Sequence, residues 1–313
     1  MSALRDRTFL VLLLALPALL LAGLALPDWL RFLLQLSLAN SLVVLGVMLQ
    51  MRAGLVSFGQ GLYYCIGGYA AGMAGRFFGL SDIFAVLALG LFGAALAAMV
   101  LGLLMSRYRE IFFAMLSLAL SMILYGLLVK AEALGSTDGF NVPQARFLGV
   151  QLTGWAHRYA TFALTCVLAV GVAAVLHRYL KSTLGALGDA IRQNELRVEF
   201  LGASVRRALY AKYVIAAAIS GLGGGLVAVT VGHVDPDLAY WTTSGEFVFI
   251  ALLSGTGNVL APFVGSFLLE IVRSFAFSYA PYSWQMIIGG TMLLVILFLP
   301  GGLWSLVLQR GRS

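Results

Sequence analysis

Long apolar runs separated by short polar breaks recur from one end of the chain to the other. Ten can be marked, near residues 8–26, 33–51, 61–78, 83–105, 111–130, 159–177, 209–231, 245–258, 262–279 and 284–299. A helix needs about 20 mainly apolar residues to cross a hydrocarbon core of ~30 Å, and most of these runs come close to that. The short alternating strands of a membrane barrel are absent, so the pattern predicts an all-α polytopic membrane protein of about ten transmembrane helices. The run Phe9–Leu26, behind Arg5 and Arg7, is longer than a signal-peptide core and lacks a small-x-small cleavage site, so it reads as an uncleaved first helix.

Basic residues set the orientation. With the N-terminus inside, fourteen Lys and Arg fall in inside segments, among them Arg5, Arg7, Lys212, Arg310 and Arg312. Five fall outside (Arg31, Arg76, Lys130, Arg146 and Arg158), and Arg273 is left within a span. This positive-inside bias needs an even span count and predicts both termini in the cytoplasm. Two polar segments stand out, an external loop at 131–158 and a cytoplasmic stretch at 178–208, within a single transmembrane domain covering 1–313. Spans two to five and seven to ten have similar total length and opposite orientation, as in an inverted repeat, although any ten-span chain can be divided this way.

Composition agrees with the pattern. Hydrophobic residues make up 61% and charged residues 11%, whereas a soluble domain carries about 25% charged residues. The net charge of +7 belongs to membrane topology and implies a lipid bilayer rather than a nucleic-acid partner. Cys65 and Cys166 lie in spans and read as small buried apolar groups, with no disulfide or metal spacing.

Breaks in the apolar pattern mark candidate chemistry. Gly54-Leu-Val-Ser-Phe-Gly-Gln-Gly61 interrupts spans two and three, and Ser254-Gly-Thr-Gly-Asn-Val-Leu-Ala-Pro262 interrupts eight and nine. Irregular backbone at membrane depth must be buried in protein or face a water-filled cavity, and interrupted segments in both halves point to a substrate path. Ser57, Gln60, Gly61, Thr256 and Asn258 are therefore path candidates. Gly67, Gly68, Gly72 and Gly221 through Gly225 read instead as helix-packing glycines. Glu246, Glu270 and Arg273 are the clearest ionisable residues in spans, and Glu270 and Arg273, three apart, can pair on one helix face. The chain has no P-loop, no Gly-x-Ser-x-Gly elbow and no His-Glu-x-x-His, so it reads as no enzyme, with no cofactor of its own.

In the stretch 182–202, Leu187, Ala190, Ile191, Asn194 and Val198 recur at helical spacing opposite Asp189, Arg192, Glu195 and Glu199. This predicts one short amphipathic helix, either solvated or docking on a partner.

Several of these segments resemble the permeases of branched-chain amino acid ABC importers, closest to their LivM type. Gly54 through Gly61 with Gly67-Gly-Tyr69 is similar to that family's first glycine-rich signature, and Ser136-Thr-Asp-Gly139 to its external turn. Asp189-Ala-Ile-Arg-Gln-Asn-Glu195 with Leu201-Gly202 resembles its cytoplasmic motif, with Gln193 in place of the usual acid and Ala186 where arginine is common. Ser220-Gly-Leu-Gly-Gly-Gly225, Val234-Asp-Pro236, Gly255-Thr-Gly257 and Phe298-Leu-Pro-Gly301 follow in the family's order. The resemblance implies a multi-pass subunit of the bacterial inner membrane that pairs with a second permease. Two cytoplasmic ATPases carrying ATP and Mg would dock on Gly185, Asp189, Ala190, Arg192, Asn194, Glu195 and Gly202, and a periplasmic or lipid-anchored binding protein would deliver a branched-chain amino acid, amide or urea. A related sugar or nucleoside importer is the alternative, followed by a secondary transporter or channel.

Overall fold

The computed structural model describes residues 7–299 and 301–305. Arg5, Arg310, Arg312 and Pro300 lie outside the described residues, as do the two termini placed in the cytoplasm by the charge count. Ten helices follow the ten apolar runs: α1 (Arg7–Ala25), α2 (Asp28–Met51), α3 (Gln60–Phe78), α4 (Ile83–Met105), α5 (Glu110–Lys130), α6 (Gly154–Lys181), α9 (Val205–Val231), α10 (Trp241–Ser254), α11 (Ala261–Tyr279) and α12 (Trp284–Phe298). Between α6 and α9 lie two short helices, α7 (Thr183–Gln193) and α8 (Glu195–Phe200).

Seven of the ten are long and apolar enough to cross a membrane on their own. The others are α3, where glycine and tyrosine replace leucine, and α10 and α12, with 14 and 15 residues. At about 1.5 Å per residue the last two cover only ~21–23 Å. Helix ends also shift the predicted loops: α6 begins at Gly154 and runs to Lys181, so the polar segments narrow to 131–153 and 182–204.

The core is built around α2 and α9, which pack on each other. Every residue of α2 from Ser37 to Gln50 is buried, whereas α1 has only Leu12 and Gly23 buried and packs chiefly on α6. α3 and α4 lie on α9, and α10 and α11 lie on α2. Exchanging the block α2–α5 for α9–α12 maps these pairs onto one another, which is the internal symmetry an inverted repeat requires.

Glycines set the closest approaches. A Cβ on Gly67 of α3 would overlap the Gly221 carbonyl of α9, and one on Gly90 of α4 would lie 3.1 Å from the Gly67 carbonyl. Small residues at a crossing allow backbones to approach this closely where lipid supplies no hydrophobic drive.

One face of the bundle carries α7 and α8 and is called the α7 face below. The opposite face carries a two-stranded antiparallel ladder of β1 (Phe140–Asn141) and β2 (His233–Val234), with Phe140 opposite Val234 and Asn141 opposite His233. Gly139, at φ +64°, allows this approach because a side chain there would run into the Val234 carbonyl. The ladder joins two of the family-like segments, Ser136–Gly139 and Val234–Pro236.

Candidate translocation path and docking surface

Hydroxyl groups stitch the irregular backbone between α2 and α3 to neighbouring helices. The Phe58 amide donates to Ser117 Oγ at 3.0 Å, and the Gly61 amide to Ser244 Oγ at 2.9 Å. Ser57 Oγ accepts from the Gly59 amide at 3.3 Å. Gln60, fully buried, accepts from Ser220 Oγ at 2.9 Å, and its Nε2 has no hydrogen-bond partner among the described residues. Ser121 Oγ donates to the Ala239 carbonyl at 2.7 Å, about 16 Å along α5 from Glu110 and hence near mid-membrane. Two interruptions therefore meet in the bundle interior, 52–59 and 235–240, each joining the first and second helices of its block.

The break expected to match 54–61 was 254–262, and the two border one cavity at the α7 face, lined by Gly54 and Val56 from the first and by Gly255 and Thr256 from the second. Asn258 Oδ1 accepts from the Leu260 amide at 3.1 Å and its Nδ2 donates to Thr8 Oγ1 at 3.2 Å, while Thr256 lines cavities at the α7 face. The five path candidates thus form two groups, Ser57, Gln60 and Gly61 inside the bundle and Thr256 and Asn258 near its α7 end. Ser117, Ser121 and Ser244 were missed, because a lone serine in an apolar run reads as a tolerated polar residue until its distant partner is known. Ser121→Ala is expected to destabilise the protein by about 1–3 kcal/mol, the cost of a buried carbonyl left unpaired. Thermal unfolding in detergent measures this, and an unchanged midpoint would show that the Ala239 carbonyl has another partner.

A second polar group lies at similar depth. Arg273 pairs with Glu270 at 3.3 Å, as its spacing predicts, and also with Glu246 of α10. Glu270 accepts from Asn40 Nδ2 at 2.9 Å, and the Tyr64 hydroxyl donates to Asn40 Oδ1 at 3.3 Å. Four helices contribute to this network. Among the described residues no cluster of His, Cys, Asp and Glu could hold a metal, and Cys65 and Cys166 are free and buried.

The predicted single amphipathic helix is in fact two. Asn194 is extended (φ −163°, ψ 103°) and its side chain caps α8 by accepting from the Arg197 amide at 2.9 Å, so the residue counted on the apolar stripe ends one helix and starts the next. Ser182 caps α7 by accepting from the Gly185 amide at 3.3 Å.

Three ties hold the pair to the bundle. The Arg109 fork grips the Glu195 carboxylate at 2.9–3.2 Å, and Arg52 lies 3.8 Å from Asp189. Lys212, counted among the inside charges, is buried in α9 and donates to the Gly185 carbonyl at 3.1 Å while lying over the Tyr179 ring. Of the residues expected to meet a partner, Gly185 therefore faces inward, Asp189 and Glu195 are paired within the chain, and Ala190 is half-buried. Arg192, Asn194 and Gly202 are exposed, and so are the apolar Leu196, Phe200 and Leu201, with Phe200 90% exposed. The position of Leu196 and Phe200 opposite buried Val198 on α8 was the signal available in the sequence.

Beneath α7 lie two cavities of about 430 and 400 Å³ that share Arg192 and Thr256. The first is also lined by Arg52 and Asp189, the second by Gly54 and Leu252. Docking and path candidates thus border the same space.

A profile described as the branched-chain amino acid transport system permease component matches residues 30–297. The chain is 28% identical over 286 residues to the high-affinity branched-chain amino acid transport system permease protein LivM of Escherichia coli (strain K12), covering 83% of this chain and 67% of that one. It is 27% identical over the same length to LivM of Salmonella typhimurium (strain LT2), with the same coverage. No solved structure matches. With the match extending from α2 into α12, the chain belongs to the branched-chain amino acid transport system permease family.

Proposed function

We propose that the chain is the membrane-spanning subunit of an ATP-driven importer of branched-chain amino acids in a bacterial inner membrane. It pairs with a second permease, two cytoplasmic ATPases bind its α7–α8 surface, and an external binding protein supplies the solute. ATP and Mg sit on the ATPases, in keeping with a sequence that has no P-loop. One observation carries the reading beyond family membership. Arg192 and Asp189, on the exposed docking helix, also line the cavity that reaches Thr256. A push on α7 from outside the membrane is thus transmitted directly to the end of the path.

The test is reconstitution of the chain with the permease, ATPases and binding protein encoded beside it, followed by leucine uptake into liposomes. Uptake is expected to require ATP and the binding protein. Uptake by this chain alone, driven by a proton or sodium gradient, would overturn the proposal.

The Arg109–Glu195 tie gives a sharper prediction. Glu195→Arg places like charges together at the α5–α8 contact and is expected to cut ATP-driven uptake by about tenfold or more, since a coupling change of 1.4 kcal/mol suffices for that. Adding Arg109→Glu restores opposite charges and should recover most of the rate. A double variant as poor as the single one would mean that Glu195 acts on a partner instead.

A further inference from the structure

The charges on α10 and α11 exceed what joining the two helices requires. Glu270 is 5% exposed, and its Oε1 accepts from both Asn40 and Arg273. The Glu246 and Arg273 side chains are different, at 30% and 29% exposed, although Arg273 Nε is itself buried, with no hydrogen-bond partner among the described residues. Two carboxylates face one guanidinium. Glu270 lies about 13 Å along α11 from Ala261, and Asn40 about 16 Å along α2 from Met51, so the cluster is near the middle of the membrane. Charged groups at that depth do not face lipid; they face protein or a water-filled path.

The surface around the cluster points to the path. Gly245, beside Glu246, has nothing within 4 Å of where a Cβ would stand. Phe249 and Leu252, each 44% exposed, follow on the same face of α10 at helical spacing. Leu252 then lines the α7-face cavity with Arg192 and Thr256. An apolar stripe therefore runs from a paired cation and anion at mid-membrane to the cavity under the docking helix.

We propose that this cluster is an intramembrane binding site for a zwitterionic amino acid, with Arg273 taking the α-carboxylate and Glu246 the α-ammonium group. The side chain of the solute lies against the Gly245–Phe249–Leu252 stripe. A planar guanidinium suits a carboxylate, and the exposed Glu246 gives the ammonium group a charged acceptor. The inference rests on the amino acid importer reading and assigns that reading's solute to particular residues.

The test uses the full complex of permeases and ATPases in nanodiscs without binding protein, with radiolabelled leucine as the probe. Saturable binding is expected, and Glu246→Gln and Arg273→Lys should each weaken it by about tenfold, the loss of one charge-assisted contact. 3-Methylbutylamine and 4-methylpentanoate, each lacking one of leucine's two charges, should compete at least about tenfold less well by the same argument. Gly245→Leu, which touches no charge and fills open space, should leave the complex assembled and reduce leucine uptake. Absence of saturable binding to the unmodified complex, unchanged binding in Glu246→Gln, or full uptake in Gly245→Leu would each overturn the site. Loss of assembly in the charge variants with normal uptake in Gly245→Leu would make the cluster a subunit contact and also overturn it. If the unmodified complex takes up a different class of solute, the functional reading fails; if it takes up leucine and so does Glu246→Gln, only the site does.

Discussion

Gly67→Leu is expected to prevent the folded protein from accumulating in the membrane. The Gly67 position faces the Gly221 backbone of α9, with Gly90 of α4 closing the same crossing, so three helices meet where none has a side chain. Overpacking a well-filled core costs about 1–3 kcal/mol when neighbouring side chains can move aside. Here the obstacle is the Gly221 backbone of α9, so α3 must separate from α9 along a contact that positions both interruptions. The loss should therefore exceed that range. Size-exclusion chromatography and thermal unfolding of detergent extracts would measure it, with Gly126→Ala as the control, since a Cβ there has nothing within 4 Å. A Gly67→Leu protein that elutes and melts like the parent would refute the tight crossing.

Arg273→Ala is expected to be almost as damaging, for an electrostatic reason. It leaves buried Glu270 beside Glu246 at mid-membrane with no cation between them, and removing the partner of a buried charge costs about 3–5 kcal/mol. Adding Glu270→Gln should recover most of the loss, because the amide keeps the Asn40 contact without a charge. Unfolding midpoints of the single and double variants decide this. If the double variant is no more stable than the single one, the damage comes from lost packing of the arginine stem rather than from an unpaired carboxylate.

The parts of this protein that could be read from its sequence are those fixed by local pattern. Apolar runs mark the ten helices because lipid requires each backbone group to be satisfied within its own segment. Their ends moved where amphipathic residues such as Trp155 and Tyr179 extend a helix beyond its apolar stretch. The Glu270–Arg273 pair was readable because it lies within one helix. Glu246 joins it from another helix, and no spacing rule relates the two. Asn194 fitted the helical stripe by position, but its short amide can bond to the backbone just ahead, and that tendency ended α7. Lys212 shows the limit of charge counting, since its buried amine is satisfied by a carbonyl 27 residues earlier in the chain. One contact of the first break was missed for a related reason. Gly54 and Val56 border the same cavity as Gly255 and Thr256, but Gly61 also bonds to Ser244, just past the proline and aspartate of 235–240, and no spacing rule relates those two.

The bond from the Gly61 amide to Ser244 spans 183 positions, which bears on how the protein is made. The ribosome releases α3 into the membrane long before α10 exists. Until then the Gly61 amide lacks its final acceptor, and an unpaired amide in hydrocarbon is costly. The N-terminal end of α3 must wait against water or the insertion machinery and settle only when the second block arrives. The two blocks are therefore not independent folding units, and the interior where α3 opens against α10 is among the last parts of the protein to form.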